Sequence, residues 1–181
     1  MAEEKTLSSR LIYDGWVVKL RVDTVQMASG RETTRETVEH ADCVAIIAID
    51  ASDNVLLVEQ FRESVGKELL EIPAGGIDSG EGADSAVRRE LREETGYIPR
   101  KVERLGGFYS SPGYCTEYLH LYLATDLISS PLQAEDTESI QLIRVSLQEI
   151  PELIKSGAIC DGKSIAGLFA FLEYRKSAKY A

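Results

Sequence analysis

Gly75-Gly-Ile-Asp-Ser-Gly80-Glu81-Gly-Ala83-Asp-Ser-Ala86-Val87-Arg88-Arg89-Glu90-Leu91-Arg92-Glu93-Glu94-Thr95-Gly96-Tyr97 is where apolar periodicity and acidic charge fall on the same turns of chain. Residues 83–95 have strong helical content, and Gly96 stands where a helix ends in a left-handed residue. At about 100° per residue, Ala83, Ala86, Val87 and Leu91 share the face that must pack on a core, and Glu90 and Glu94 fall within it. Arg88 and Arg92 fall opposite, toward solvent, and Arg89 points largely elsewhere. Two carboxylates one turn apart repel, and an unpaired buried carboxylate is costly. A hard divalent cation, Mg²⁺ or Mn²⁺, held by oxygens and bridging to phosphate, resolves the conflict. Glu93, at the edge of the face, could enlarge such a site. The competing reading is a solvated acidic helix with i,i+4 ion pairs, which the wheel positions of Glu90 and Glu94 disfavour.

Upstream, Pro73-Ala74-Gly75-Gly76 reads as a loop that leaves any regular ladder. Residues 43–49 give a short buried-strand signal, Asp53-Asn54 a turn, and residues 55–61 the hairpin partner. Residues 11–38 alternate turn pairs (Asp14-Gly15, Ser29-Gly30) with β-prone runs such as 16–25 and 33–38, a meander of strands. Downstream, strands are expected near 103–108, 118–124 and 140–145, with a polar loop starting at Ser129. Ser146-Leu-Gln-Glu149 has the capping-box pattern of a short helix. Residues 163–179, with Ile165, Leu168, Phe169 and Leu172, read as an amphipathic terminal helix. The pattern is α/β, divided near residue 40 into an N-terminal β appendage (1–40) and a main domain (41–181).

The chain has 181 residues, 44% hydrophobic, enough for one compact domain with its own core. A net charge of -10 argues against a nucleic-acid partner and demands cations between protein and any phosphate substrate. The longest apolar stretch, 43–49, is too short to cross a bilayer, and the first residues show no signal-peptide pattern. Cys43, Cys115 and Cys160 have no metal-ligand spacing and read as reduced thiols of a cytoplasmic protein. His40 and His120 have no partner at triad or metal spacing and read as structural.

Gly75-x5-Glu81-x7-Arg89-Glu90-Leu91-x-Glu93-Glu94-x-Gly96-Tyr97 resembles the Nudix box, the signature of Nudix hydrolases. All of its fixed residues stand at the right spacing; Tyr97, where the family prefers an aliphatic residue, is a mild departure that puts no ligand position in doubt. The flanks are similar to the ADP-ribose pyrophosphatase and nucleoside diphosphate sugar hydrolase subfamily: Gln60-Phe61-Arg62, Glu71-Ile-Pro73-Ala-Gly75, and Ser111-Pro112-Gly113 with Glu117. The resemblance implies a Nudix-type α/β/α sandwich on a mixed sheet. It implies Glu90, Glu94 and the Ala74 carbonyl as metal ligands, Glu93 as an accessory ligand, and Arg89 as the arginine orienting the carboxylates. It places the general base on an acidic loop before the last strand, where Glu138 is the first candidate and Glu135 the second.

The reaction so implied is hydrolysis of ADP-ribose to AMP and ribose 5-phosphate with Mg²⁺, Mn²⁺ being possible. GDP-mannose and a catalytically silent nucleotide-sugar-binding module are the alternatives. Arg62 is a candidate diphosphate clamp, because a guanidinium grips phosphate through parallel hydrogen bonds. Trp16 is either a core residue or a stacking platform for the base, and Arg21 shares its uncertainty. Glu117 is a candidate for the terminal ribose or the metal site, and Glu71 for the metal site or a cap on the turn before Pro73. The resemblance also implies a homodimer exchanging its N-terminal strands.

Overall fold

The computed structural model describes residues 4–131 and 140–178. They form two compact units, one drawn from Met1–Asp42 and Tyr109–Tyr118, the other from Cys43–Phe108 and Leu119–Ala181.

The first unit is an antiparallel meander of β1 (Lys5–Asp14), β2 (Lys19–Gln26) and β3 (Glu32–Glu39). The Gly30 turn joins β2 to β3 as expected, its N–H bonding the Met27 carbonyl at 2.8 Å. β1 starts well before residue 11, and all ten of its residues are exposed. Trp16 lies in the turn between β1 and β2 rather than in a strand, because the chain reverses at Gly15, whose N–H bonds the Val18 carbonyl. The 109–118 segment joins this unit through Val38, whose N–H and carbonyl bond Tyr114 and Thr116 at 2.7 and 3.0 Å.

The second unit is built around β4 (Cys43–Ile49), every residue of which is buried. A strand apolar on both faces belongs at the centre of a sheet covered twice. β4 runs parallel to β9 (Tyr118–Ser129), and the sheet order is β10-β5-β4-β9-β8, with β5 (Asn54–Arg62), β8 (Tyr97–Tyr109) and β10 (Gln141–Ser146). On one face Val44, Ile46 and Ala48 pack with Ala86, Val87 and Leu91 of α1 (Ala83–Thr95). On the other, Ala45, Ile47 and Ile49 pack with Ile150 of α2 (Ile150–Ser156) and Leu168 and Phe171 of α3 (Gly162–Ala178). Each fully buried Leu or Ile contributes about 2 kcal/mol. Helices on both faces of a mixed sheet make the expected α/β/α sandwich.

Two further expectations need correction. Ala74–Gly76 is not an irregular loop but a short strand, β7, paired with residues 43–45 of β4. β4 and β5 pair only at Ala48–Leu56 and Ile49–Val55, then part, and the chain from β6 (Lys67–Glu71) to β7 fills the opening. Pro73 is tolerated there because it serves as an acceptor: its carbonyl takes the Ile46 N–H at 2.9 Å. In α3, Phe169 is exposed and Phe171 buried. Ser164, Leu168 and Phe171 make the buried stripe, and Phe169 lies about 100° round the helix from Leu168.

Candidate active site

α1 forms because its apolar residues recur at helical spacing, and it stops because Gly96 adopts φ 73°, with its N–H bonded to the Arg92 carbonyl at 2.9 Å. Burying Ala86, Val87 and Leu91 orients the helix, and that orientation carries Glu90 and Glu94 toward β7. The Glu94 carboxylate accepts the Ala74 N–H at 3.1 Å. Glu90 lies against Gly75 so closely that a Cβ there would stand 2.0 Å from its carboxyl carbon. Only glycine leaves room for that side chain.

Arg89 does not point elsewhere. It donates to Glu81 at 2.8 and 3.1 Å, to Glu90 at 2.5 Å, to Glu93 at 3.4 Å and to the Gly76 carbonyl at 2.8 Å. A long arginine can curl back along its helix, which a wheel of Cβ directions does not show. Its bonds with Glu81 strengthen its positive charge and hold the Glu81 carboxyl below its usual range.

One guanidinium does not balance this much acid. Burial raises the Glu90 carboxyl above its ordinary value, against the pull of Arg89. Burial pushes Glu94 from 4.5 up to about 8, against the Ala74 N–H and with Glu90 adding repulsion. Two half-buried carboxylates short of positive charge, beside the Ala74 backbone and with Glu93 next to them, are a hard-oxygen donor set that fits a divalent cation.

The fit has a consequence for the metal-free protein. Folding holds a proton on Glu94 that the unfolded chain has released, so this group's contribution to stability is present below about pH 4.5 and is lost as pH rises through about 8. Melting temperatures in EDTA are therefore expected to fall between pH 5 and 8 more steeply for the wild type than for Glu94→Gln. Parallel curves would refute the burial of that charge.

Arg62, at the end of β5, donates to Glu71 through Nε at 2.9 Å and Nη2 at 2.6 Å. Glu71 is buried between Arg62 and Lys163, whose Nζ lies 3.0 Å from its other oxygen. Arg62 and Lys163 both bear electrostatically on Glu94, so the structure brings Arg62, Ala74, Arg89, Glu90, Glu93 and Glu94 into one neighbourhood. Lys163 carried no signal in the sequence, although Asp161 before a helical run could have been read as an N-cap.

In the other unit, Trp16 is fully exposed, at 102% of its reference surface, which excludes the core reading. It borders a shallow concavity with Val17, Lys19, Glu39 and His40. Arg21 is held by Asp23, at 2.9 Å, and by Glu39. Glu117 lies 3.8 Å from Nδ1 of His40, so His40 has a carboxylate neighbour that its sequence position did not suggest. Glu135 and Glu138 lie outside the described residues.

Comparison with known proteins places this geometry. The chain is 38% identical to a methanol dehydrogenase activator of Bacillus methanolicus over 98% of this chain and 97% of that one. It is 34% identical to an ADP-ribose pyrophosphatase of Bacillus subtilis (90% and 89% covered) and 35% identical to one of Mycobacterium tuberculosis (94% and 84%). A solved ADP compounds hydrolase shares the fold, with a TM-score of 0.89 over 97% of this chain and 96% of that one at 20% identity. The family model of the nucleoside diphosphate sugar hydrolase N-terminal domain matches residues 4–38. The NUDIX domain model matches residues 39–168, a span that holds Gly75, Arg89 and the α1 carboxylates, and the chain belongs to the Nudix family.

Proposed function

We propose that this protein hydrolyses the diphosphate bond of ADP-ribose, or of a closely related nucleoside diphosphate sugar, giving a nucleoside monophosphate and a sugar phosphate. The observation that carries the reading is the Glu90 and Glu94 pair, half-buried against Gly75 and Ala74 with too little positive charge nearby. The relatives named ADP-ribose pyrophosphatase support the substrate class. A GDP-mannose pyrophosphatase of Escherichia coli, 33% identical over 72% of this chain, keeps GDP-mannose in the comparison.

Metal dependence is typical of the family, and Mg²⁺ is the ion proposed, held by Glu90, Glu94 and the Ala74 carbonyl with Glu93 beside them. When bound, it supplies charge neutralisation to the diphosphate and acidity to the attacking water. Arg89 keeps Glu90 aimed, so that its carboxylate need not reorganise. Arg62 offers its remaining N–H donors to a diphosphate oxygen, since only two of a guanidinium's five are used on Glu71. Glu138 is proposed as the base that takes the proton of the water attacking phosphorus. The indole of Trp16 is available to stack on the base.

The test is a substrate panel with Mg²⁺ read by product identity. AMP and ribose 5-phosphate from ADP-ribose, in preference to products from GDP-mannose, is the expected result; no product from any nucleoside diphosphate sugar rejects the reading.

We further propose a cytoplasmic homodimer. Its support is β1, which exposes Leu7, Leu11, Ile12 and Tyr13, apolar surface that a second copy could cover. A monomer mass by light scattering would dismiss it. No helix among the described residues is long and apolar enough to cross a membrane.

A further inference from the structure

A second charged cluster lies where the first turn of α3 meets the end of β6. Glu71 is only 3% exposed, and its two oxygens serve different cations. Oε2 accepts both bonds from Arg62, while Oε1 lies 3.0 Å from Nζ of Lys163. Lys163, with its side chain 16% exposed, is also 3.0 Å from Oδ1 of Asp161. That same Asp161 oxygen accepts the Ser164 N–H and caps α3. The Ser164 hydroxyl then accepts the Ile72 N–H at 2.8 Å, deep in the core. At Gly167 the helix comes so near that a Cβ would stand 2.9 Å from Ile72. The start of α3 is thus pinned to residues 71–72, directly before β7.

We propose that Lys163 is a positioning residue for substrate: through Glu71 it fixes the Arg62 guanidinium in the orientation that grips the diphosphate. The proposal rests on the reading of Arg62 given above. A carboxylate bound on one oxygen alone can turn about its last bond and carry its partner with it. A cation on the second oxygen fixes the plane, and with it the direction of the donors Arg62 leaves for substrate. The four charges, Asp161, Lys163, Glu71 and Arg62, sum to zero, so the arrangement stands without substrate. Lys163 does not contact substrate itself in this scheme, since it is mostly buried and engaged by two carboxylates.

A double-mutant cycle tests this in the full-length protein. Binding of ADP-ribose is measured by calorimetry with Ca²⁺ in place of Mg²⁺, and turnover separately with Mg²⁺. Arg62→Ala and Lys163→Met are each expected to weaken Kd about tenfold, and the double variant to bind no worse than Arg62→Ala alone. Lys163→Arg should recover most of the affinity, while in Lys163→Met KM should rise by more than kcat falls. Lys163→Gln carries the same expectation should Lys163→Met not fold. Additive losses, or an unchanged Kd in Lys163→Met or Lys163→Gln while Arg62→Ala weakens binding, would overturn the positioning role alone. An unchanged Kd in Arg62→Ala would remove the diphosphate clamp, and the role of Lys163 with it.

Discussion

Replacing Glu94 with Gln is expected to lower kcat about a thousandfold while leaving the protein folded and, without metal, more stable at pH 8 than the wild type. The amide oxygen can still accept the Ala74 N–H, so the link between α1 and β7 survives. What disappears is the negative charge that a divalent ion needs. The same loss removes the ionisation that burial makes unfavourable, since Glu94 titrates near 8. Activity and metal-free stability therefore move in opposite directions. That separates a ligand role from a structural one, because a carboxylate kept for packing would lose both together. Steady-state kinetics and melting curves in EDTA on the same preparation read the two effects. Near-normal turnover in this variant would end the assignment of Glu94.

Gly75→Ala is the second large effect, and its size comes from geometry rather than charge. The new methyl would meet the Cδ, Oε2 and Oε1 of Glu90 at 2.0, 2.1 and 2.2 Å. Contacts that short cannot exist, so one partner must move. Gly75 is fixed by the pairing of β7 with β4, whereas Glu90 is the far end of a flexible side chain. The carboxylate gives way, at a cost to the fold of about 1 kcal/mol. Displacing the proposed metal ligand by an ångström or more costs on the order of a hundredfold in rate. The expected variant is folded, melts within a few degrees of the wild type and has lost at least that factor in kcat. Full activity would show that Glu90 need not lie against Gly75, and a collapse in stability would show that the backbone yields instead.

Much of the α1 site was legible in the linear order of residues. An apolar stripe at helical spacing places Leu91 in the core whatever it packs against, and Glu90 and Glu94, flanking it, go where it goes. Cys43–Ile49, apolar at every position, could be nothing but a central strand or a buried helical segment, and its length decided for the strand. Arg89 is instructive because the helical wheel and the structure disagree. The wheel reports where a Cβ points, while a guanidinium is set by what it can reach, here Glu81, Glu90 and the Gly76 carbonyl.

Other features were hidden for identifiable reasons. Pro73 and two glycines look like a loop in any local window. They form β7 because β4 and β5 part after two residue pairs and leave backbone groups that must be satisfied. Trp16 sat in a β-prone run, yet the reversal at Gly15 leaves it wholly exposed, a matter of turn placement that β-propensity does not report.

By itself the sequence determined the helix that carries the acid, the glycine that ends it, the central strand and the family, because each of these depends on neighbours within a few turns of chain. Only the tertiary structure decided that Glu90 rests on Gly75, that Glu94 takes the Ala74 N–H, and that Glu71 lies between Arg62 and Lys163. Those contacts join residues up to 92 positions apart. Their partners are chosen by how the sheet opens and where α3 docks, and no periodicity along the chain encodes that choice.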